Sequence, residues 1–188
     1  MNIQRVKQLS IIAFLAIAAS CKKDDDQPNI PQPIINEPES ITSVELHFTA
    51  QDGSSTFHAD WDDPDGLGGD EPTIESIVLD SGMTYDVEVS FLDRSSGTSE
   101  DLTSEIEEEA AEHIVCYSLD ASTENVLEIV STDSDGTYGV GLNSEWQTKD
   151  IGSGNLSLTL KHQPDGIKDG TCDPGETDVE VIFPISIQ

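Results

Sequence analysis

Four histidines and a large excess of carboxylates are the groups in this chain that could do chemistry. His47 and His58 flank Asp52-Gly53, and an Asp-Gly pair between two alternating segments is a strong hairpin signal. A two-residue turn at Asp52-Gly53 pairs Val44 with Trp61, Leu46 with Ala59 and Phe48 with Phe57 on a buried side. It pairs His47 with His58 and Glu45 with Asp60 on the other side. Directly opposed residues have Cβ atoms about 5 Å apart. Two imidazoles and two carboxylates at that spacing make a ligand set for zinc or another transition metal such as copper. A bound cation would also offset the repulsion of Glu45 against Asp60. The same residues on a solvated sheet face need hold nothing.

The acidic turns offer a second chemistry. Asp62, Asp63, Asp65 and Asp70 crowd around Gly66, Gly68 and Gly69, and Asp133-Ser134-Asp135-Gly136 and the run from Asp165 to Asp178 repeat the theme. Calcium takes six to eight oxygens from flexible carboxylate loops, so these segments are calcium candidates. None carries the full helix-loop-helix calcium pattern, and Asp with Gly also simply builds turns. The third set is His113, His162 and Glu112. His113 falls on the Ile106 face of a short helix, and His162 continues the face of Leu156, Leu158 and Leu160. If they meet, they form a small-ligand or metal site; apart, each is a hydrogen-bonded residue at the core edge. No nucleophile elbow, phosphate loop or zinc-protease helix occurs, so no catalytic residue is assigned and no enzyme is expected.

Period two dominates the elements that must position these groups. Val44, Leu46 and Phe48 alternate with polar residues, as do Phe57, Ala59 and Trp61, then Tyr85, Val87, Val89 and Phe91. Leu156, Leu158 and Leu160 follow the same rule, as do Val179, Val181, Phe183, Ile185 and Ile187. Less regular apolar runs lie at 74–79, 114–119 and 126–131. Many short half-buried strands separated by Gly, Asp, Asn and Ser predict an all-β antiparallel sandwich, immunoglobulin-like or related. Pro184 marks the last strand as an edge or a bulge. One short helix is expected, opened by a Ser104–Glu107 capping box and carrying Ile106, Ala110 and His113 on one face. Like-charge pairs Glu105/Glu109 and Glu108/Glu112 weaken it.

With 38 acidic and 8 basic residues and a net charge of −30, the chain repels nucleic acid and anionic surfaces and attracts cations. It also repels itself, so folding is expected to gain from salt or divalent ions. Arg5 and Lys7 precede an apolar stretch from Leu9 to Ala19, which ends in Ala18-Ala19-Ser20-Cys21. That order predicts a secretory leader over 1–20, cut before a lipidated Cys21. The stretch is short for a bilayer span, which takes about 20 apolar residues, whereas two or more acyl chains hold stably. Residues 21–40 then carry an acidic run and Pro28, Pro31, Pro33 and Pro38, a semi-rigid tether. Residues 41–188 form the sandwich. Cys116 and Cys172 remain as an even pair in an oxidising location, joined as a disulfide or left as a buried apolar residue and a loop thiol.

Lys22-Lys23-Asp24-Asp25-Asp26 resembles the export signal of surface-exposed lipoproteins of the Bacteroidota. Trp61-Asp62-Asp63-Pro64-Asp65-Gly66, the strand from Thr84 to Leu92, the helix end Glu107-Glu108-Glu109 to Glu112-His113, Leu158 to Pro164, and Gly175 to Val181 are similar to small Bacteroidota lipoproteins of undefined function. Some of those are labelled "type 1 periplasmic binding fold", which implies alternating helices and parallel strands that this pattern contradicts. Such relatives look like companions of TonB-dependent transporters. The resemblance implies a protein held on the outer membrane by its acyl chains and facing the medium. There it would bind a metal ion or small nutrient for a transporter. The alternative is a non-enzymatic calcium-stabilised structural or adhesive module, for which adhesion predicts a broad exposed apolar or aromatic patch, the aromatics available being mainly Trp146, Tyr138 and Tyr117.

Overall fold

The structure, a computed structural model, describes residues 40–66 and 68–188. The leader, Cys21 and the tether lie outside the described residues.

Among the described residues, eleven strands form two packed sheets that do not close into a barrel, and one helix joins them. The strands are β1 (Ser43–Ala50), β2 (Thr56–Asp62), β3 (Thr73–Ile74), β4 (Ile77–Leu79), β5 (Thr84–Asp93), β6 (Glu100–Asp101), β7 (His113–Leu119), β8 (Leu127–Ser131), β9 (Asn143–Thr148), β10 (Gly152–His162) and β11 (Glu176–Ile187), and the helix is α1 (Thr103–Glu108). The larger sheet runs β3-β2-β1-β5-β9-β8, with β6 beside β5. The smaller runs β4-β11-β10-β7. All neighbours are antiparallel except β4 and β11. This is the all-β sandwich the alternation predicts.

The inward rows fill the space between the sheets. Val44, Leu46 and Phe48 meet Val87, Val89 and Phe91 on one side, and Leu156, Leu158, Leu160, Val181, Phe183 and Ile185 on the other, all buried. Phe48 stacks on Phe57 at 4.8 Å and takes the edge of Trp146 at 5.2 Å. Removing each such side chain from water contributes about 1.5–3 kcal/mol, and the stacked aromatic pairs add to that.

Three details differ from expectation. The hairpin keeps the predicted register, Val44 to Trp61 through Phe48 to Phe57. Its turn, however, spans Ala50 to Gly53: the Gly53 N–H donates to the Ala50 carbonyl at 2.9 Å, and Gly53 takes a φ of +75°. The helix has no capping box. Leu102 is its N-cap and makes no side-chain cap bond, and the Asp101 carboxylate instead accepts the Thr103 N–H at 2.9 Å. The helix stops at Glu108, so His113 opens β7 rather than riding the helix. Pro184 lies in a strand paired on both sides at its end, since Ile185 to Ile187 join β4. Pro184 itself faces only Asn155, just before β4 begins, and the sheet's irregularity falls elsewhere, at Leu160/Lys161.

β9 was not visible in the sequence. Its inward residues are Ser144, Trp146 and Thr148, all buried. Ser144 Oγ accepts the Trp146 indole N–H at 2.8 Å, and Thr148 Oγ1 donates to the Asp80 carbonyl at 2.7 Å. Satisfied polar residues thus stand where an apolar period would have signalled a strand.

Candidate metal centre and the buried histidine pair

The outer face of the larger sheet carries the first candidate set. β1 and β2 place His47 opposite His58 and Glu45 opposite Asp60, as the hairpin dictates. The two imidazoles lie 6.2 Å apart, centre to centre. They do not share a ligand point with both carboxylates. Arg94, just past the end of β5, binds Glu45 and Asp62 and donates to Ser43 Oγ at 2.9 Å. Glu45 and Asp62 therefore already have a cation. His47 Nε2 sits 3.3 Å from Glu45 Oε2.

The group that does converge is His58, Asp60 and Glu75, with one ligand atom from each within 4.8 Å of the others. Glu75 arrives because its backbone N–H donates to the Asp60 carbonyl at 2.8 Å, extending β3 along β2. Asp60 Oδ1 is buried without a hydrogen-bond partner. Burial first, then Glu45 and Glu75, push its carboxyl above the usual range, while His58 and Arg94 oppose that. A cation here would relieve the crowding. One imidazole and two carboxylates with an open position form a borderline-metal donor set. Sequence reasoning missed Glu75 because a strand of two residues, Thr73–Ile74, shows no period. It missed Arg94 as well, although a lone arginine in so acidic a domain was a signal.

Two carboxylates of the acidic turn already have donors. Asp62 is engaged by Arg94, and Asp65 Oδ2 accepts the Asp70 N–H at 2.8 Å. Asp63 is buried, and burial and Asp65 raise its pKa. Among the described residues, no three carboxylates of this turn come within metal-sharing distance. Asp133 and Asp135 likewise accept backbone N–H groups from Gly141, Asn143, Thr137 and Tyr138. These aspartates build their loops.

His113 and His162 do meet. They pair across β7 and β10, and their rings stack at 4.9 Å with 16° between planes. His113 is fully buried, and the His162 side chain is 13% exposed. Glu112 Oε2 lies 3.7 Å from His162 Nε2. Asp178, which the sequence placed in the acidic run from Asp165 rather than beside the histidines, lies 3.9 Å from His113 Nε2 with its side chain 4% exposed. Burial, followed by the neighbouring imidazole, holds His113 down at about 4.

Cys116 and Cys172 are joined, with Cα atoms 6.1 Å apart. The 163–175 segment thereby crosses the outer face of β7. Lys168 of that segment is buried and donates to the Ala110 carbonyl at 2.7 Å and pairs with Asp135 at 2.8 Å. Of the three aromatics available to an adhesive patch, Trp146 is in the core, Tyr117 donates to the Gly141 carbonyl, and Tyr138 is exposed.

No described helix is long and apolar enough to cross a membrane. No family model matches the sequence, and no curated protein matches it.

Proposed function

We propose that this is a lipid-anchored protein of the outer membrane, facing the medium, that captures a transition-metal ion on its larger sheet and serves a TonB-dependent transporter. The observation that carries the binding half is the convergence of His58, Asp60 and Glu75 around the buried, unsatisfied Asp60 Oδ1. The exposed His58 and Glu75 leave the site open to solvent, as exchange with a partner requires. An imidazole in the set favours zinc or copper over calcium. The Ala18-Ala19-Ser20-Cys21 junction supports the anchor, and the acidic run behind it supports the outward face.

Isothermal titration of zinc into the wild-type domain and into His58→Ala and Glu75→Gln tests the site. The expected result is one site in the wild type, weakened at least tenfold in each variant, which corresponds to about 1.4 kcal/mol or more. Equal affinity in all three removes the proposal. Mass spectrometry of membrane-extracted protein tests the anchor, which fails if Cys21 carries no acyl chain.

A further inference from the structure

The end of the sandwich beside α1 is built differently from its middle. Along β10 the inward row is Leu156, Leu158 and Leu160, and then His162; across from it β7 contributes Val115 and then His113. Aliphatic packing gives way to two stacked imidazoles. On β11 the register slips between Val179 and Thr177, so Asp178 is the extra residue opposite Leu160/Lys161. A bulge of this kind re-aims a side chain that the strand alternation would have sent outward. The Asp178 carboxylate is thereby turned into the interior, with Oδ2 making no hydrogen bond, facing His113 Nε2 at 3.9 Å.

We propose that the His113–His162 stack and the bulged Asp178 form a proton-operated latch: proton uptake in mildly acidic medium separates the rings and loosens the corner between α1 and β7 together with the start of the 163–175 segment, while the sandwich body stays folded. The corner depends on the stack directly. His113 Nδ1 contacts the Glu109 carbonyl at the end of α1 at 3.3 Å, and the residue after His162, Gln163, donates its side-chain amide to the Thr171 and Pro174 carbonyls at 2.9 Å each. The Cys116–Cys172 bridge keeps the segment's far end attached when the near end opens.

Charged groups face the stack from every side. Glu109 and Glu112 come from the end of α1, Lys161 from β10, Glu176 and Asp178 from β11, and Lys168 from the crossing segment. The Glu109 carbonyl favours an imidazolium on His113; burial, the second imidazole and Lys168 oppose one. The opposing effects win and hold His113 at about 4 in the closed state. Once open, the imidazole returns to about 6.5. The open form therefore binds more protons between those values, and closure weakens as pH falls through that window. Asp178 works the other way, since burial raises its pKa, and it returns part of the loss as it takes up its own proton. At pH 5 against pH 7.5, His113 alone favours opening about 25-fold, and Asp178 lowers that figure.

Hydrogen exchange followed by mass spectrometry on the full chain tests the latch, with rates corrected for the intrinsic effect of pH. Peptides covering 103–115 and 160–168 are expected to exchange about ten- to 25-fold faster at pH 5 than at pH 7.5. Peptides from β1 and β5 should not change. His113→Phe keeps a ring in the stack and removes the proton, so the pH dependence should vanish. His113→Gln, which removes the same proton, is the second variant should the first fail to fold. Imidazole proton resonances of the wild type give an independent reading, with His113 titrating below 5. The proposal is overturned by an equal acceleration in both variants, by a uniform rise that includes β1 and β5, or by a His113 midpoint that stays near about 6.5.

Discussion

Lys168→Met isolates the clamp that holds the crossing segment down. The side chains of Lys168 and Asp135 are 2% and 8% exposed, with Nζ 2.8 Å from Oδ2. Methionine keeps the length of the stem and removes the charge. Asp135 cannot then swing out to water without cost, because its Oδ1 already accepts the Thr137 and Tyr138 N–H groups at 2.7 and 2.8 Å. The Ala110 carbonyl loses its donor as well. Breaking a buried pair by removing one partner costs about 3–5 kcal/mol, and the rim position of this loop places the loss near 3 kcal/mol. For a domain of this size that is roughly 10 °C in Tm. In urea titrations the midpoint should fall at unchanged slope. Asp135→Asn in the same background removes the stranded charge while keeping the Oδ1 acceptor. The double variant should therefore recover at least about 1.5 kcal/mol over the additive expectation. A single variant that loses less than about 1 kcal/mol, or a double variant that is simply additive, refutes the reasoning. The pair also has an acid signature. Lys168, ahead of the backbone donors, pulls Asp135 down to about 2 from 3.8. Its contribution is complete above the ordinary carboxylate value and disappears as pH falls through about 2.

Replacing Cys116 and Cys172 together by alanine opens a link across a sequence separation of 56. The chain-entropy estimate for such a loop is about 4 kcal/mol, read as a drop in the urea midpoint that the reduced wild type should share. Arg94→Met leaves Glu45 and Asp62 beside Asp60 without their cation, and about 1–2 kcal/mol should be lost in low salt. High salt should return part of that loss, and a salt-independent effect would point to packing alone. Gly175→Ala should destabilise by more than about 1 kcal/mol. Gly175 has a φ of +84°, and an added Cβ would run into the His162 carbonyl and Gln163 Cγ. A thermal midpoint equal to wild type would show that the turn relaxes freely.

Strand register was readable wherever one face was apolar. Val44, Leu46 and Phe48 against Phe57, Ala59 and Trp61 admit one pairing, because a slip of one residue would put every side chain on the wrong face. The same logic failed at β9, where hydroxyl groups are buried in place of methyls, and at β3, where two residues are too few for a period. The helix start was misplaced because Ser104 and Glu107 satisfy a sequence pattern that the Asp101 carboxylate fulfils one turn position earlier. Histidine parity was legible, so His113 and His162 could be sent inward together. Asp178 could not, since only the bulge beside Thr177 turns an outward position into an inward one. The metal candidate was half legible: His58 and Asp60 follow from the hairpin, whereas Glu75 depends on a long-range approach that no local pattern records.

The acid content itself has a structural use that changes what the net charge means. Asp120 is held at about 2 mainly by hydrogen bonds to its carboxylate, first from Ser122 and then from the Asn155 N–H. Asp52, Asp93 and Asp169 are lowered by the same kind of bond from Ser54, Ser95 and Thr171. Each is a carboxylate accepting a donor two residues on, a turn device that is strengthened by the charge. Acidic loops built this way are ordered in part by these donors, whether or not a cation is present. The expected salt requirement therefore narrows to the outer face of the larger sheet, where Asp60, Glu75 and Glu45 crowd one another and Arg94 answers only part of the charge. Chelator should leave the loops intact. Thermal midpoints taken with chelator and with zinc should differ through His58 and Glu75, and the difference should vanish in His58→Ala. A calcium-dependent midpoint that survives that substitution would return the acidic loops to the role of ligands.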